Sequence, residues 1–515
     1  MTQPERHLGR ASPRDVSASR RLLVRADLLG QLDRAVGRQV TVISAPPGSG
    51  KTSLLRAWAD RSADVRRVAF VSVKRDQRDP QQFWSAVLAG VRSSSRLIDL
   101  ESQHAAASTV GADQLPDMVV SELAEQTDPV VLIIDDVHEL KSAEALAALE
   151  RLVAALPCSA RLVLSSRRDP PISLHQLRLD DEVAEIRAGD LRFTEGETRE
   201  LLAASGLRLS DRGVAALYRR AEGWAAGLRL AVISLSGHPD PERFVAEFSG
   251  TDRAVGEYLM AEMLERQPGE VQGMLLRTSL VDRVNGELAD QLVGRSGSEQ
   301  MLLELEDANA FVVSLDAERT WFRYHQLLAD FLRLELRRRF AAEVPDLHRR
   351  AARWFADHGE VVEAVRHTLA AGDWPVAARL VADHSFSWVL DGQAGRIDAV
   401  LQAFPEGASA DHPDLALAHA AAELNHGRLD DAAAQLALAE SHLQSAPGAM
   451  SSELRGVALL NLGIVEVWSR RFDDARAVPF RWRRARRGDR PALPRGRVSR
   501  PPSVSDQACL ARGCT

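Results

Sequence analysis

The order of apolar and polar positions over roughly the first 190 residues predicts strands separated by helices. Short apolar runs of the kind found in buried strands lie at 39–44, 68–73, 130–134 and 161–165. Leucine and alanine recur at helical spacing around them, as at 21–36 and 52–60. Strands that alternate with helices are typical of an α/β domain with a parallel sheet.

Strand-forming runs fade after residue 190, and helical spacing dominates the rest of the chain. Residues 195–235 and 253–280 have the pattern of amphipathic helices. The stretch 300–340 holds a possible β-hairpin at 311–323 between two helices, an arrangement that suits a winged-helix fold. From about residue 345 the chain becomes alanine-rich and predicts an all-α region.

A weak repeat recurs in this alanine-rich region, with a glycine followed by an apolar position and an alanine. Copies begin at Gly359, Gly372 and Gly427, and a further copy has Arg470 in place of the glycine. A glycine can end one helix in the left-handed conformation, and small residues let the next helix pack closely. The pattern predicts a superhelical array like that of tetratricopeptide repeats, with an irregular helical bundle as the alternative.

These patterns divide the chain into predicted segments. They are a disordered start at 1–15, an α/β domain at 16–190, a small helical domain at 191–245, a winged-helix domain at 246–345, a helical repeat domain at 346–477 and a basic tail at 478–515. Helical periodicity stops after Ala477, and the tail is crowded with arginine and proline. Such a tail has three interpretations: translation in a shifted frame, disorder, or an arm that binds nucleic acid.

Composition narrows the class of protein. A chain of 515 residues is too long for one core, and its net charge of -7 gives no general sign of nucleic-acid binding. The three cysteines, Cys158, Cys509 and Cys514, lack the spacing of a metal site, and their odd number disfavours a disulfide framework. No signal peptide or membrane-spanning run is visible. We therefore expect a cytoplasmic protein with no membrane segment.

A candidate phosphate-binding loop, Ala-Pro-Pro-Gly-Ser-Gly-Lys-Thr, follows the first predicted strand at 45–52. Gly48 and Gly50 can adopt backbone angles that turn successive amides towards phosphate oxygens. Lys51 is expected to reach the β- and γ-phosphates of a bound nucleotide, ATP or ADP being the expected ligand, and the Thr52 hydroxyl to bind Mg²⁺. The predicted nucleotide contacts are Pro47, Gly48, Ser49, Gly50, Lys51, Thr52 and Ser53. Ala45 replaces the usual first glycine, and an ordinary glycine turn is the alternative.

Charged residues follow the next predicted strands. Asp135 is expected to hold Mg²⁺, and Asp136 to orient or deprotonate the attacking water; the alternative is that both cap a helix. Arg167 is expected to sense the γ-phosphate and to stabilise charge during its loss. Arg168 is the reserve for this role, and a surface arginine pair is the alternative. His138 is interpreted as more structural than catalytic.

Together these elements resemble the STAND class of signalling ATPases, and within it the regulators related to the bacterial maltose activator. The resemblance runs from about residue 21 to 477 and rests on segments that occur in order. They are 71–84, 135–138, 165–177, 191–194, 222–230 and 321–332. Among them are Asp-Asp-Val-His at 135–138 and Glu-Gly-Trp-Ala-Ala-Gly-Leu-Arg-Leu at 222–230.

The resemblance implies a nucleotide-binding domain, a small helical domain, a winged-helix domain and a superhelical sensor. It also implies that ADP holds a closed monomer, whereas ATP together with an inducer bound by the sensor opens the protein for self-association. On this pattern Arg25 would lie near the nucleotide, and His325 would contact its phosphate side. A buried structural histidine beside Trp321 and Tyr324 is the alternative for His325.

The sequence departs from the family at two places. Ala225 stands where the family often has a proline near the adenine pocket, and no DNA-binding helix-turn-helix pattern follows Ala477. We predict a nucleotide-driven switch with slow ATP hydrolysis, which would contact DNA only if a helix-turn-helix is supplied elsewhere. A dedicated enzyme, either a kinase or a motor ATPase, is one alternative. A helical scaffold with a vestigial ATP site is another.

Overall fold

The structure is a computed structural model that describes residues 23–445 apart from 24, 63–65, 76, 94–110, 112, 127, 237, 391, 392, 394 and 405–411. The predicted segments 1–15 and 478–515 and the repeat copy at Arg470 lie outside the described residues. The chain divides into two compact units, one ending at Asp373 and the other beginning at Trp374. The predicted start of the repeat domain at 346 falls inside the first unit. The domain limits given above stay predictions.

The first unit begins with an α/β domain. Its elements are α1 (Ala26–Ala35), β1 (Val40–Ser44), α2 (Lys51–Ser62), β2 (Arg67–Ser72), α3 (Pro80–Arg92), α4 (Leu115–Glu125), β3 (Val130–Asp135), α5 (Ala143–Ala154), β4 (Ala160–Ser166), α6 (His175–Leu179) and β5 (Val183–Arg187). Among the described residues the sheet has five parallel strands in the order β2-β3-β4-β1-β5. The predicted α/β fold is confirmed, and β5 is a strand that the sequence patterns did not predict.

Helices cover both faces of this sheet. Val42 and Leu132 belong to the core on one face, and Ile43 and Ile133 to the core on the other. Strands buried on both faces are near-continuous apolar runs, which is why they could be predicted. Because parallel strands end at one edge of the sheet, the phosphate loop, the two aspartates and Arg167 all emerge at that edge.

A series of helices follows the sheet. They are α7 (Ala188–Leu191), α8 (Glu195–Ala204), α9 (Asp211–Ala221), α10 (Ala225–Leu235), α11 (Pro241–Glu247) and α12 (Arg253–Leu259). Capping side chains mark where two of these helices begin: the hydroxyl of Thr194 accepts the amide of Glu197, and that of Ser210 accepts the amide of Gly213. After α12 the chain continues as a π-helical turn at Met260–Leu264.

The rest of the first unit contains the predicted hairpin. Its elements are α13 (Gly269–Thr278), α14 (Gly286–Val293), α15 (Ser298–Asp307), β6 (Val312–Ser314), β7 (Phe322–Tyr324), α16 (Gln326–Arg339), α17 (Val344–Asp357) and α18 (Val361–Ala370). Strands β6 and β7 pair in antiparallel fashion between helices, as a winged-helix fold requires.

The second unit is helical in its described part. It contains α19 (Trp374–Leu390), α20 (Gly395–Leu401), α21 (Pro413–Asn425) and α22 (Leu429–Ser445). Gly359, Gly372 and Gly427 have φ of +75°, +81° and +73°, the left-handed conformation that the repeat pattern required of them. The superhelical array itself stays a prediction. Within the described residues, no helix has the length and apolar character needed to cross a membrane.

Candidate nucleotide-binding site

The phosphate loop connects β1 directly to α2. Gly48 has φ of +72° and Gly50 has φ of +89°, a region of backbone angles that other residues rarely adopt. A Cβ atom at Gly48 would lie 2.5 Å from the Cβ of Ala226 and 2.8 Å from the hydroxyl of Tyr258. Glycine is therefore required at position 48 both by the backbone angle and by the close approach of later segments.

Lys51 begins α2 and is buried. Its ammonium group donates to the carbonyl oxygens of Ala45 at 2.7 Å and Pro46 at 3.0 Å. Burial lowers the pKa of Lys51 to about 8, against the opposing charge of Asp136. A buried cation whose described hydrogen bonds go to neutral carbonyls gains from a nearby anion. The loop and Lys51 therefore fit the phosphates of a nucleotide.

Thr52 and Asp135 meet at the end of β3. The Thr52 hydroxyl donates to Oδ2 of Asp135 at 2.7 Å, and Asp135 is fully buried. Among the described residues no group of three or more His, Cys, Asp or Glu side chains could hold a metal ion. Mg²⁺ usually takes one or two protein ligands and completes its shell with phosphate oxygens and water. Thr52 and Asp135 fit such an ion, bound together with a nucleotide.

Asp136 has the properties of a proton acceptor. Burial and the neighbouring charge of Asp135 raise the pKa of Asp136 to about 6. Its backbone is in the left-handed region with φ of 59°, a strain that is common at functional positions. His138 lies nearby, and burial together with the charge of Arg167 lowers the pKa of His138 to about 3, so its ring stays neutral.

Arg167, at the end of β4, is held by the segment that follows α12. Its Nη2 donates to Oε2 of Glu262 at 2.8 Å. Arg266 contacts the same carboxylate at 2.9 Å and reaches Oε1 of Glu139 in the α/β domain at 3.3 Å. These ion pairs form a chain of alternating charges that joins the α/β domain to the segment after α12. Its members are Arg167, Glu262, Arg266 and Glu139.

The start of α10 covers the outside of the phosphate loop. Nε1 of Trp224 donates to the carbonyl of Pro47 at 3.0 Å, and the amide of Ala226 donates to the carbonyl of Gly48 at 2.9 Å. The loop after α15 adds Asn309, whose side-chain amide donates to the carbonyl of Arg167 at 2.9 Å. The two segments therefore bind backbone groups at the edge of the sheet where a nucleotide would lie.

A cavity with mainly apolar walls opens beside the loop, and Pro46, Ser49, Leu191, Trp224, Ala225 and Phe311 are among its lining residues. Walls of this kind suit a planar base. Ala225, which stands where the family often has a proline, is one of these residues. Ala225 therefore lines this cavity, and its place near the base stays a prediction.

Arg25, assigned to the nucleotide from resemblance alone, binds the start of the small helical region. It donates to Oε1 of Glu197 at 2.8 Å and to the carbonyl of Leu191 at 2.7 Å. Its guanidinium also lies 4.5 Å from the centre of the Phe193 ring. These contacts give Arg25 a structural role in this arrangement, and its contact with the nucleotide stays a prediction.

His325 caps α16. Its Nδ1 accepts the amide of Leu327 at 3.3 Å, and its Nε2 lies 3.1 Å from the carbonyl oxygen of Ala221. The aromatic rings of Trp224 and Phe311 pack against the His325 ring. The interpretation of His325 as a buried structural histidine had named Trp321 and Tyr324 as its neighbours. His325 also lines the cavity beside the loop, and its phosphate contact stays a prediction.

Sequence reasoning missed Tyr258, Glu262, Arg266 and Asn309. The first three are spaced by four residues, which places them on one face of a helix, and this polar stripe was an available signal. Asn309 carried no comparable signal. Its backbone has φ of +49°, and a single asparagine between apolar residues is not enough to predict such a conformation.

Family comparisons match two parts of the chain. The AAA domain family matches residues 34–168, which contain the phosphate loop, both aspartates and Arg167. The MalT winged helix domain family matches residues 260–344, which contain Glu262, Asn309 and His325. The second match confirms the predicted winged helix.

Curated relatives are longer than this chain. The serine/threonine-protein kinase PknK of Mycobacterium tuberculosis is 32% identical over 459 residues, which cover 88% of this chain and 41% of PknK. The HTH-type transcriptional regulator MalT of Yersinia enterocolitica is 28% identical over 432 residues, or 82% of this chain and 47% of MalT. The chain therefore spans less than half the length of either relative.

Solved structures include the Walker-type ATPase of Pyrococcus abyssi, which is 14% identical and covers 61% of this chain and 97% of its own, with a TM-score of 0.46. The identification rests instead on the two family matches and the MalT relatives. They place an ATPase domain and a MalT-type winged helix in one chain, in the order predicted from the sequence. The chain is therefore similar to MalT-like P-loop ATPases.

Proposed function

We propose that this chain is the ATP-binding switch of a MalT-like transcription regulator, in which slow ATP hydrolysis resets an inducer-controlled self-association. One observation carries the proposal: the phosphate site is contacted by two separate parts of the chain. The α/β domain contributes Lys51 and the phosphate loop, and later segments contribute Trp224 and Glu262. A switch needs a ligand that binds two arrangements with different affinity, and a site shared between domains supports this.

The residues of the α/β domain have complementary tasks in this proposal. Lys51 and the amides of the loop bind the phosphates, and Thr52 and Asp135 hold Mg²⁺. When bound, Mg²⁺ neutralises charge on the phosphates. Asp136 orients the attacking water and accepts its proton, which its raised pKa of about 6 supports. After Arg167 has separated from Glu262, its guanidinium group stabilises charge on the departing phosphate.

The remaining parts of the switch are proposed from resemblance. The inducer would bind the helical repeats at 346–477, and self-association would follow in the ATP state. The name of the Yersinia relative describes a helix-turn-helix regulator, and that description belongs to the relative. DNA binding is proposed here only for a protein that also carries a helix-turn-helix.

A dedicated P-loop enzyme is the alternative function. Kinase activity is named for the mycobacterial relative, of which this chain spans 41%. An enzyme of this kind would turn over rapidly without changing its domain arrangement. A switch would hydrolyse ATP slowly and self-associate only in one nucleotide state.

Lys51→Ala tests the site on which all of this depends. The variant loses the charge that binds the phosphates, and we expect ATP to bind at least about 100-fold more weakly in the presence of Mg²⁺. Lys74→Ala is the control, because Lys74 is exposed on the same domain and its loss changes the net charge equally. Equilibrium binding of a fluorescent ATP analogue measures both variants. Wild-type affinity in Lys51→Ala would reject the site.

A further inference from the structure

Tyr258, Glu262 and Arg266 form a polar stripe that begins on α12 and passes through the π-helical turn after it. All three lie against the α/β domain. A Cβ atom on Gly48 would be 2.8 Å from the Tyr258 hydroxyl, Glu262 binds Arg167, and Arg266 binds Glu139. A π-helical turn is rare and often marks a functional site. We therefore considered how the charged and polar groups of the stripe would act on a nucleotide at the phosphate loop.

Glu262 is ionised and directed at Arg167. Its side chain is partly buried, with 27% of its surface exposed. Burial raises the pKa of Glu262, but the hydrogen bond and charge of Arg167 and the charge of Arg266 outweigh this and hold the pKa below its usual value. The carboxylate thus binds the arginine expected to sense the third phosphate of ATP.

Tyr258 stands beside the loop itself. Its ring packs against Trp224, with 5.5 Å between the ring centres. Burial and the charge of Glu262 raise the pKa of Tyr258 to about 12, so the hydroxyl keeps its proton at neutral pH. Of these two side chains, the Glu262 carboxylate therefore carries the negative charge beside Arg167.

We propose that Glu262 makes this arrangement of the site selective for a nucleoside diphosphate over a nucleoside triphosphate. The inference rests on the proposed function, because it requires a nucleotide at the phosphate loop. A diphosphate leaves the pair between Arg167 and Glu262 intact. A triphosphate brings a further negative group that competes with the Glu262 carboxylate for Arg167 and is repelled by it.

Glu262→Gln tests this directly, because it keeps the shape of the side chain and removes its charge. Dissociation constants are measured for ADP and for a non-hydrolysable ATP analogue, both with Mg²⁺. The ratio of the ATP-analogue constant to the ADP constant should fall about tenfold, the scale of a partly buried charge pair. The ratio reports selectivity and does not depend on the fraction of folded protein.

Glu257→Gln is the matched control. Glu257 lies on the same helix and pairs with Arg253 at 2.8 Å, but its side chain is 69% exposed. Its neutralisation should leave the ratio unchanged.

One outcome overturns the proposal: a wild-type ratio in Glu262→Gln, whether or not the variant binds both nucleotides more weakly. The Lys51→Ala variant separates this failure from failure of the site. If Lys51→Ala loses both nucleotides while Glu262→Gln keeps the wild-type ratio, the nucleotide site stands and the selectivity is rejected. If Lys51→Ala binds normally, the site itself is rejected.

Discussion

Replacing Gly48 with alanine places a methyl group where later segments touch the phosphate loop. The added Cβ would lie 2.5 Å from the Cβ of Ala226, 2.8 Å from the Tyr258 hydroxyl and 3.0 Å from Nε1 of Trp224. Favourable contacts between carbon atoms need about 3.5–4.0 Å. The loop and the start of α10 therefore cannot keep their present separation in this variant.

Two energies follow from this geometry. The φ of +72° lies in the left-handed region, which costs an alanine about 1–2 kcal/mol. Overpacking costs typically about 1–3 kcal/mol. The backbone strain persists whether or not α10 touches the loop, whereas the overpacking disappears when α10 moves away. The contact should therefore weaken by about 2 kcal/mol, which shifts its opening equilibrium roughly 30-fold.

The amide of Ala226 reports this opening because it donates to the carbonyl of Gly48 at 2.9 Å. Hydrogen exchange at the start of α10, measured without nucleotide, should accelerate roughly 30-fold in Gly48→Ala. Gly50→Ala is the matched control: its φ is +89°, but its added Cβ would meet only the Cβ of Ala225, at an ordinary 3.9 Å. Wild-type protection in Gly48→Ala, or equal acceleration in both variants, would refute the reasoning.

Two further predictions concern the metal and a buried histidine. Thr52→Val removes the hydroxyl that donates to Asp135 at 2.7 Å, so ATP should bind roughly tenfold more weakly with Mg²⁺ and unchanged in EDTA. An equal loss in both media would contradict the metal role. Burial lowers the pKa of His325 to about 4, whereas the unfolded chain binds a proton at this residue near pH 6.5. The free energy of unfolding is therefore unaffected by this group above pH 6.5 and decreases as the pH falls from 6.5 towards 4, by up to about 1.4 kcal/mol per pH unit. His325→Asn removes this titration and keeps a side chain that can cap the helix. Urea unfolding between pH 7.5 and 5 should therefore show that the free energy of unfolding depends less steeply on pH in this variant than in the wild type. The same steepness in both proteins would mean that the folded wild type already binds a proton at His325.

The parallel sheet and the phosphate loop could be predicted because each is encoded by contiguous residues. Strands buried on both faces are unbroken apolar runs, and the loop has a fixed spacing of glycine, lysine and threonine. Strand β5 was not predicted because only one of its residues, Ile186, is buried. It lies at the edge of the described sheet and pairs only with β1 there. A half-exposed strand of five residues gives little periodic signal.

The far side of the site could not be predicted in the same way. Trp224 binds Pro47 across 177 positions of sequence, and Asn309 binds Ser44 across 265. Contacts over such distances depend on how domains meet, and local periodicity carries no information about that. Arg25 and His325 came from resemblance, and the hydrogen bonds that both make in this structure are equally long-range: Arg25 with Leu191 and Glu197, His325 with Ala221.

The relative strength of these contacts shows which movement would change the site. Glu222, just after α9, binds Arg323 of β7 through two charged hydrogen bonds of 2.9 and 2.8 Å. Burial raises the pKa of Glu222, but Arg323, His325 and the amide of Gln326 together lower it to about 2, so the pair persists at neutral pH. The phosphate loop is held to α10 by neutral hydrogen bonds, which are weaker than charged ones. A ligand that displaces Trp224 from the loop must therefore carry the hairpin with it or break the stronger pair. Displacement at the loop is in this way coupled to the winged helix, which bears Glu262.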